Sequence, residues 1–213
     1  MINVYFVRHG KTVCNTDKII QDDNDKLNEL GILQANTIAE RIKSIPIEKI
    51  ITSPLPRTYD TAMAISKKIG ITLEIQDLLR EKKNPTSLIG LSHTDQRVLD
   101  ANETRKKNQS LDPNWKFEDE EGFIELKSRA LEVLSILQKQ TQNNILVVTH
   151  GALMRYILGC MIFGEKLEKN TLDPIFKSFV LNNTGISLCT YGTEDISKPP
   201  RWRVVSWNDT THL

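Results

Sequence analysis

The chain has 213 residues, of which 39% are hydrophobic and 26% charged. This excludes a chain disordered throughout and supplies enough apolar material for one sizeable core. With 28 Lys and Arg against 27 Asp and Glu, the net charge is +1, so no bulk field exists to grip nucleic acid or an anionic membrane.

Neither nucleic acid nor membrane is therefore expected as a partner, and any anion must be recognised locally. Cys14, Cys160 and Cys189 are widely spaced and form no CxxC pair, which argues against a disulfide framework and a cysteine zinc site. No HExxH-type spacing points to a metal. The opening run carries no basic leader or cleavage signal, and no apolar stretch approaches the ~18 residues of a membrane span. A reducing cytoplasm is the expected compartment.

In chain order, residues 2–7 are apolar, rich in β-formers and predict a buried strand. Ala35, Ile38, Ala39 and Ile42 then recur at helical spacing. Residues 49–52 predict a short strand, Thr58, Ala62, Ile65 and Ile69 a helix, and 71–75 a weaker strand. Residues 82–122 fit neither period well. They carry Pro85, Pro113, mixed charge and one helix near 95–107, and read as an insertion over the sheet within a single domain spanning 1–213. Phe123, Leu126, Ala130, Val133, Leu134 and Leu137 mark a further helix, with the acidic run Glu118 to Glu121 placed to start it. Residues 145–149 are the clearest strand, followed by a helix bearing Leu153, Tyr156, Ile157 and Cys160. Residues 186–191 and 201–207 predict two last strands. Strands alternating with helices imply an α/β fold: a three-layer α/β/α sandwich around a mainly parallel central sheet, with a lid-like insertion.

In such sheets, ligand sites form where strands end and loops turn into helices. Three strand ends carry one theme: Arg8-His9-Gly10, then Ser53-Pro54-Leu55-Pro56-Arg57, then Thr149-His150-Gly151. Arg pairs in a planar fork with phosphate oxygens. Imidazole serves as nucleophile or donor near neutral pH. Gly10 and Gly151 let backbone approach a ligand. Ser53 and Pro54 suit an N-cap and first helical position, with Arg57 in the first turn beside amides that favour an anion.

Arg8-His9-Gly10-Lys11-Thr12-Val13-Cys14-Asn15 resembles the RHGxTxxN signature of the histidine phosphatase superfamily, the phosphoglycerate mutase-like family. Further segments resemble that family in the right order: Leu27 to Ala35 its LxxxGxxQA, Ser53 to Arg57 its SPLxR, Arg80-Glu81 its acidic position, and Thr149-His150-Gly151 its second histidine. The resemblance, closest to the phosphatase branch, implies that His9 attacks phosphorus and carries a phosphohistidine. It implies that Arg8, Arg57 and His150 clamp the phosphoryl oxygens, with Asn15 and Gly151 assisting, and that Glu81 protonates the leaving oxygen. The scheme needs no metal and no cofactor, and its substrate is a small phosphorylated metabolite.

Three functions fit these residues: a metal-independent phosphomonoester hydrolase, a cofactor-dependent phosphoglycerate mutase, and a non-catalytic phosphate-binding regulator. The regulator is disfavoured because every catalytic position holds a competent residue. The mutase is disfavoured because such enzymes typically carry Ser and Trp around Thr12 and Cys14, and longer insertions. The run after Glu81 also lacks the family's common Trp-Glu-Gly. The cations Lys82, Lys83, Arg97, Arg105, Lys106 and Lys107 load the insertion; they read either as a solvated face or as a lid touching an acidic or multiply phosphorylated substrate. Cys14, His93 and His212 read as packing or loop residues. Nothing in the sequence sets the oligomeric state.

Overall fold

A computed structural model describes residues 1–195 and 197–213. The strands are β1 (Ile2–Arg8), β2 (Lys49–Thr52), β3 (Leu73–Ile75), β4 (Asn144–Thr149), β5 (Ile186–Gly192) and β6 (Arg201–Asp209). They form one six-stranded sheet in the order β3-β2-β4-β1-β5-β6. β1 to β4 run parallel, whereas β5 lies antiparallel to β1, and β6 antiparallel to β5. The sheet is thus mixed: parallel where strands alternate with helices, antiparallel where two strands follow each other near the C-terminus.

The helices are α1 (Val13–Asp17), α2 (Glu29–Ile42), α3 (Pro56–Ile69), α4 (Gln96–Leu111), α5 (Phe123–Gln138), α6 (Gly151–Phe163) and α7 (Lys169–Ser178). The central strands explain the three layers. In β4 every residue from Ile145 to Thr149 is buried, because alternate side chains meet different helices. Leu146 and Val148 join Ile38 and Ile42 of α2 and Ala62 and Ile65 of α3 in one core. Ile145 and Val147 join Leu126 and Val133 of α5 and Leu153 and Ile157 of α6 in the other. No helix among the described residues is long and apolar enough to cross a membrane.

Several elements differ from the sequence expectation, each for a local reason. The helix expected to begin with Ser53 as its N-cap begins at Pro56, with Leu55 as N-cap. Pro56 rather than Pro54 takes the first position, and Ser53 Oγ instead accepts from the Leu55 amide (3.3 Å). The acidic run Glu118 to Glu121 does not start α5. Gly122 is the N-cap there and Glu125 supplies the first-turn charge, while the run turns back onto the insertion. α7 escaped the pattern because Pro174 interrupts it; Leu172 and Ile175 hold it by packing into the core. β3 is shorter than residues 71–75, and β6 runs on to Asp209 through irregular pairing with β5.

Residues 82–122 carry a small core of their own, Leu88, Val98 and Ala101, with Ile20, Leu91 and Phe117 against it. Glu120, only 2% exposed, ties the segment together through Lys82 and Arg105, each at 3.1 Å. Lys83 pairs with Asp119 and Arg97 with Asp95. Most of the insertion's cations are therefore engaged within it, and Lys106 and Lys107 are exposed.

The loop after β1 crosses the first turn of α2 at close range. The Asn28 amide donates to Lys11 O (3.0 Å), and the Lys11 amide to Gln34 Oε1 (2.9 Å). A Cβ at Gly31 would lie 2.0 Å from Lys11 O, and one at Gly10 would lie 2.6 Å from Gly31 O. Both obstacles are backbone atoms, which no rotamer change can clear. Gly31→Ala is expected to destabilise the fold by about 1–3 kcal/mol and to lower any activity that depends on the His9 loop. Urea unfolding of the variant beside the wild type measures the first effect.

Candidate active site

Parallel register sets the site. Arg8 pairs with Thr149 across β1 and β4, and Thr52 with Val148 across β2 and β4. The next residues, His9, His150 and Ser53, therefore leave the sheet side by side at one edge. The rings of His9 and His150 lie 5.2 Å apart. Arg57 projects from the second position of α3, the helix that follows β2.

All four basic groups are withdrawn from water or nearly so. His9 and Arg57 are each 1% exposed and His150 is 0% exposed; Arg8 is half-buried. Arg8 Nη1 donates to Leu181 O (2.6 Å) and Arg57 Nη1 to Asp22 O (2.9 Å). These carbonyls aim the two guanidinium groups. Arg8 Nε, Arg57 Nε and His150 Nδ1 are buried without a hydrogen-bond partner among the described residues. Unpaired buried donors are costly, and an anion accepting from them relieves that cost. A Cβ at Gly151 would lie 3.4 Å from Arg8 Nε, so this glycine leaves the guanidinium edge open.

The histidines differ in how they are held. His9 Nδ1 lies 2.7 Å from Gly10 O. A carbonyl only accepts, so Nδ1 carries the proton and Nε2 keeps its lone pair. His150 Nε2 lies 2.9 Å from Ser53 Oγ. Ser53 Oγ also accepts from the Leu55 amide, and the His150 tautomer sets which member of the pair donates. Burial, and then the Arg8 and Arg57 charges, hold His9 well below the ordinary imidazole range. Burial holds His150 well below it too, with His9, Arg57 and Arg8 adding to the effect. Both rings are neutral at pH 7.

Thr12 and Asn15 cap each other's backbone at the start of α1 (3.1 and 3.3 Å). Asn15 Oδ1 also accepts from Asn183 Nδ2 (3.2 Å), whose amide group donates to His9 O (2.9 Å) as well. Glu81 lies after the short 3-10 turn Asp77–Leu79. Its carboxylate accepts from the Ala152 and Leu153 amides at the start of α6, each 3.2 Å, and from the Lys82 amide at 2.9 Å. Charge of this sign suits a helix N-terminus. Glu81 thus stands beside the strand end that carries His150. It borders a cavity of about 380 Å³ with Asn15, Lys18, Gln21 and His93, and a second of about 250 Å³ with Arg57.

The structure brings together Arg8, His9, Asn15, Arg57, Glu81, His150 and Gly151 around this edge. Ser53, Gln21 and Asn183 belong beside them and carried no site role in the sequence reading. Asn183 had no signal in the sequence: it reaches the site because β5 runs antiparallel to β1, with Ile186 paired to Val7, so the start of β5 meets the end of β1. Cys14 lines the larger cavity. Burial, reinforced by a hydrogen bond with Asp25, pushes its thiol up to about 11, so it is no thiolate nucleophile at neutral pH. His212 lies 3.4 Å from Thr184 Oγ1, at the foot of β5. All three cysteines are free.

This edge, with its paired histidines and arginines on an α/β sandwich, matches one protein class. The chain belongs to the histidine phosphatase superfamily (branch 1), whose family model matches residues 4–210. The superfamily holds both phosphatases and mutases. The chain is 29% identical, over 224 aligned residues, to the probable phosphoglycerate mutase GpmB of Yersinia pestis, covering 100% of this chain and 95% of that one. Its fold superposes on a mycobacterial glucosyl-3-phosphoglycerate phosphatase with a TM-score of 0.77 and 22% identity, covering 98% and 99% of the two chains. It superposes equally well on a phosphoserine phosphatase from Entamoeba histolytica, solved with 3-phosphoglyceric acid, with a TM-score of 0.78 and 24% identity over 100% of both chains.

The depressed histidines link stability to pH. Below about 6.5 the unfolded chain binds protons that the folded rings refuse. The contribution of His9 and His150 is fully present above that value and is lost as pH falls toward their folded values. Urea unfolding from pH 7.5 to 5 should show falling stability, and His9→Gln should flatten the slope by up to about 1.4 kcal/mol per pH unit.

Proposed function

We propose that this chain is a metal-independent phosphomonoester hydrolase working through a phosphohistidine on His9. The observation that carries this reading is the His9 ring, neutral, with Nδ1 engaged by Gly10 O and Nε2 free beside Arg8, Arg57 and His150. Nε2 attacks phosphorus in line with the ester oxygen. The P–O bond breaks as Glu81 gives the leaving oxygen a proton, and the phosphoryl group stays on Nε2. The Nδ1–H···O=C bond steadies the charge that develops on the ring. The Glu81 carboxylate then takes a proton from water as its oxygen attacks phosphorus, and inorganic phosphate leaves His9 restored. Arg8, Arg57 and His150 hold the phosphoryl oxygens through both steps, in a dry and preorganised setting where such donors act most strongly. The positive charge that a metal supplies to phosphoryl transfer elsewhere is here supplied by two guanidinium groups.

The substrate is a small phosphorylated metabolite, consistent with a cavity of about 380 Å³, and residues 82–122 form the lid above it through Lys82, Asn84 and His93. A mutase reading draws on the likeness to GpmB. Both reactions share the phosphohistidine, and they part on whether water or a second substrate oxygen takes the group.

Turnover in EDTA separates these readings. Wild type should release phosphate from p-nitrophenyl phosphate and from members of a phosphometabolite panel. His9→Ala should lose at least about 10⁴-fold in kcat. Absence of phosphate release together with isomerisation of 3-phosphoglycerate would establish the mutase instead. In kcat/KM, which reports the first transfer alone, Glu81→Gln should slow alkyl phosphates by about 10²–10⁴-fold while sparing the aryl ester, whose leaving group needs no proton.

A further inference from the structure

Glu81 belongs to no helix or strand, yet proton transfer requires it to be held to within a fraction of an ångström. Backbone carbonyls of such a segment need partners if they are to keep one conformation. Those of residues 78 to 81 all have one. Thr149 Oγ1, beside His150, donates to Leu79 O (2.8 Å). The other three share a single guanidinium: Arg129 Nη1 donates to Leu78 O (2.7 Å) and Arg80 O (2.6 Å), and Nη2 to Glu81 O (3.3 Å).

Arg129, on α5, is itself fixed. Its Nε and Nη2 meet the two carboxylate oxygens of Glu121 at 2.8 and 2.6 Å, and the pair is only 14% and 16% exposed. Glu121 in turn closes the base of the insertion. Its amide donates to Lys83 O (3.0 Å), and its carboxylate accepts from the Lys83 amide (3.3 Å). One guanidinium therefore ties the backbone of Glu81 to Glu121, where the outgoing and returning segments of the insertion meet. Lysine offers one ammonium without the planar fork and cannot serve three carbonyls and a carboxylate at once.

We propose that Arg129, braced by Glu121, is the positioning residue for Glu81, coupling the base of the insertion to the proton donor. The inference rests on the assignment of Glu81 as the acid. It makes Arg129 act through Glu81 alone, so in kcat/KM, which covers the first transfer, removing it should slow only esters whose leaving group needs the proton.

The test compares kcat/KM for glycerol 2-phosphate, an alkyl ester with a poor leaving group, and for p-nitrophenyl phosphate. The proteins are wild type, Arg129→Lys, Glu121→Gln, Glu81→Gln and the Arg129→Lys/Glu81→Gln double variant. Arg129→Lys should slow the alkyl ester by about 10²-fold, the loss expected for a misplaced catalytic group, and the aryl ester by less than about threefold. On the Glu81→Gln background it should cost nothing further, since no proton donor is left to position. Equal slowing of both esters, or an undiminished loss on that background, would falsify the inference while leaving Glu81 as the acid. If Glu81→Gln itself treats the esters alike, the acid assignment falls and the inference falls with it. Should Arg129→Lys fail to fold by circular dichroism, Glu121→Gln keeps the guanidinium and loosens its brace. That variant should show the same ester contrast at smaller size, and its absence there also overturns the inference.

Discussion

The structure turns on burying two arginines and two histidines together at the C-terminal edge of parallel strands. Desolvating like charges is unfavourable, and this protein meets the cost in two ways. The imidazoles stay neutral, and each guanidinium is tied to one backbone carbonyl, Leu181 O or Asp22 O. Neither device uses a carboxylate as a direct partner. Carboxylate pairing would satisfy the arginines and at the same time block them. Arg8 Nε and Arg57 Nε remain as buried donors, and His150 Nδ1 as a buried ring nitrogen, without a partner among the described residues. Sites built this way hold back stability that a better-satisfied pocket would gain.

The rest of the local architecture keeps that edge rigid. Gly10 and Gly31 let the His9 loop lie directly on α2, and Gln34 holds the Lys11 amide. The Thr12–Asn15 cap turns the chain back toward Asn183, which reaches the carbonyl of His9 itself. Within the RHGxTxxN stretch, then, Arg8 and His9 face the pocket, and Gly10, Thr12 and Asn15 fold the loop that presents them. Glu81 has a double attachment of its own: its carboxylate lies on the α6 amides while its carbonyl lies on Arg129.

The insertion is organised on a different plan. Its core of Leu88, Val98 and Ala101 is separate from the two cores that clasp the sheet. Seven of its charged side chains pair internally, with Glu120 at the centre of Lys82 and Arg105. Such a unit can change its cavity-facing residues without disturbing the packing behind His9. Loops that vary above a rigid scaffold are where substrate choice resides. Lys18 and His93 face the cavity outside these internal pairs.

Much of this was legible in the amino-acid order. Continuous apolar runs located the central strands and period-3.6 patterns four of the helices, because a two-face core leaves a strong apolar imprint on β4, α2 and α5. The strand-end motifs named Arg8, His9, Arg57 and His150, since parallel strands with crossover helices must deliver such residues to one edge. The imprint was weak where burial is slight or composition ambiguous: α7 carries a proline, α4 buries only Val98 and Ala101, and the start of α3 had two prolines to choose between. Other features were absent from the local pattern because they join residues far apart in the chain. The pairing of β5 with β1 brings Asn183 to His9, and the reach of Arg129 from α5 to the carbonyls around Glu81 spans about 50 residues. Sequence by itself determined which chemical groups the protein possesses and which strand ends bear them, because periodicity and side-chain chemistry are local. Only the tertiary structure decided their burial, their hydrogen-bond partners and the contacts of Arg129 behind Glu81, because these depend on which distant atoms meet once the layers close.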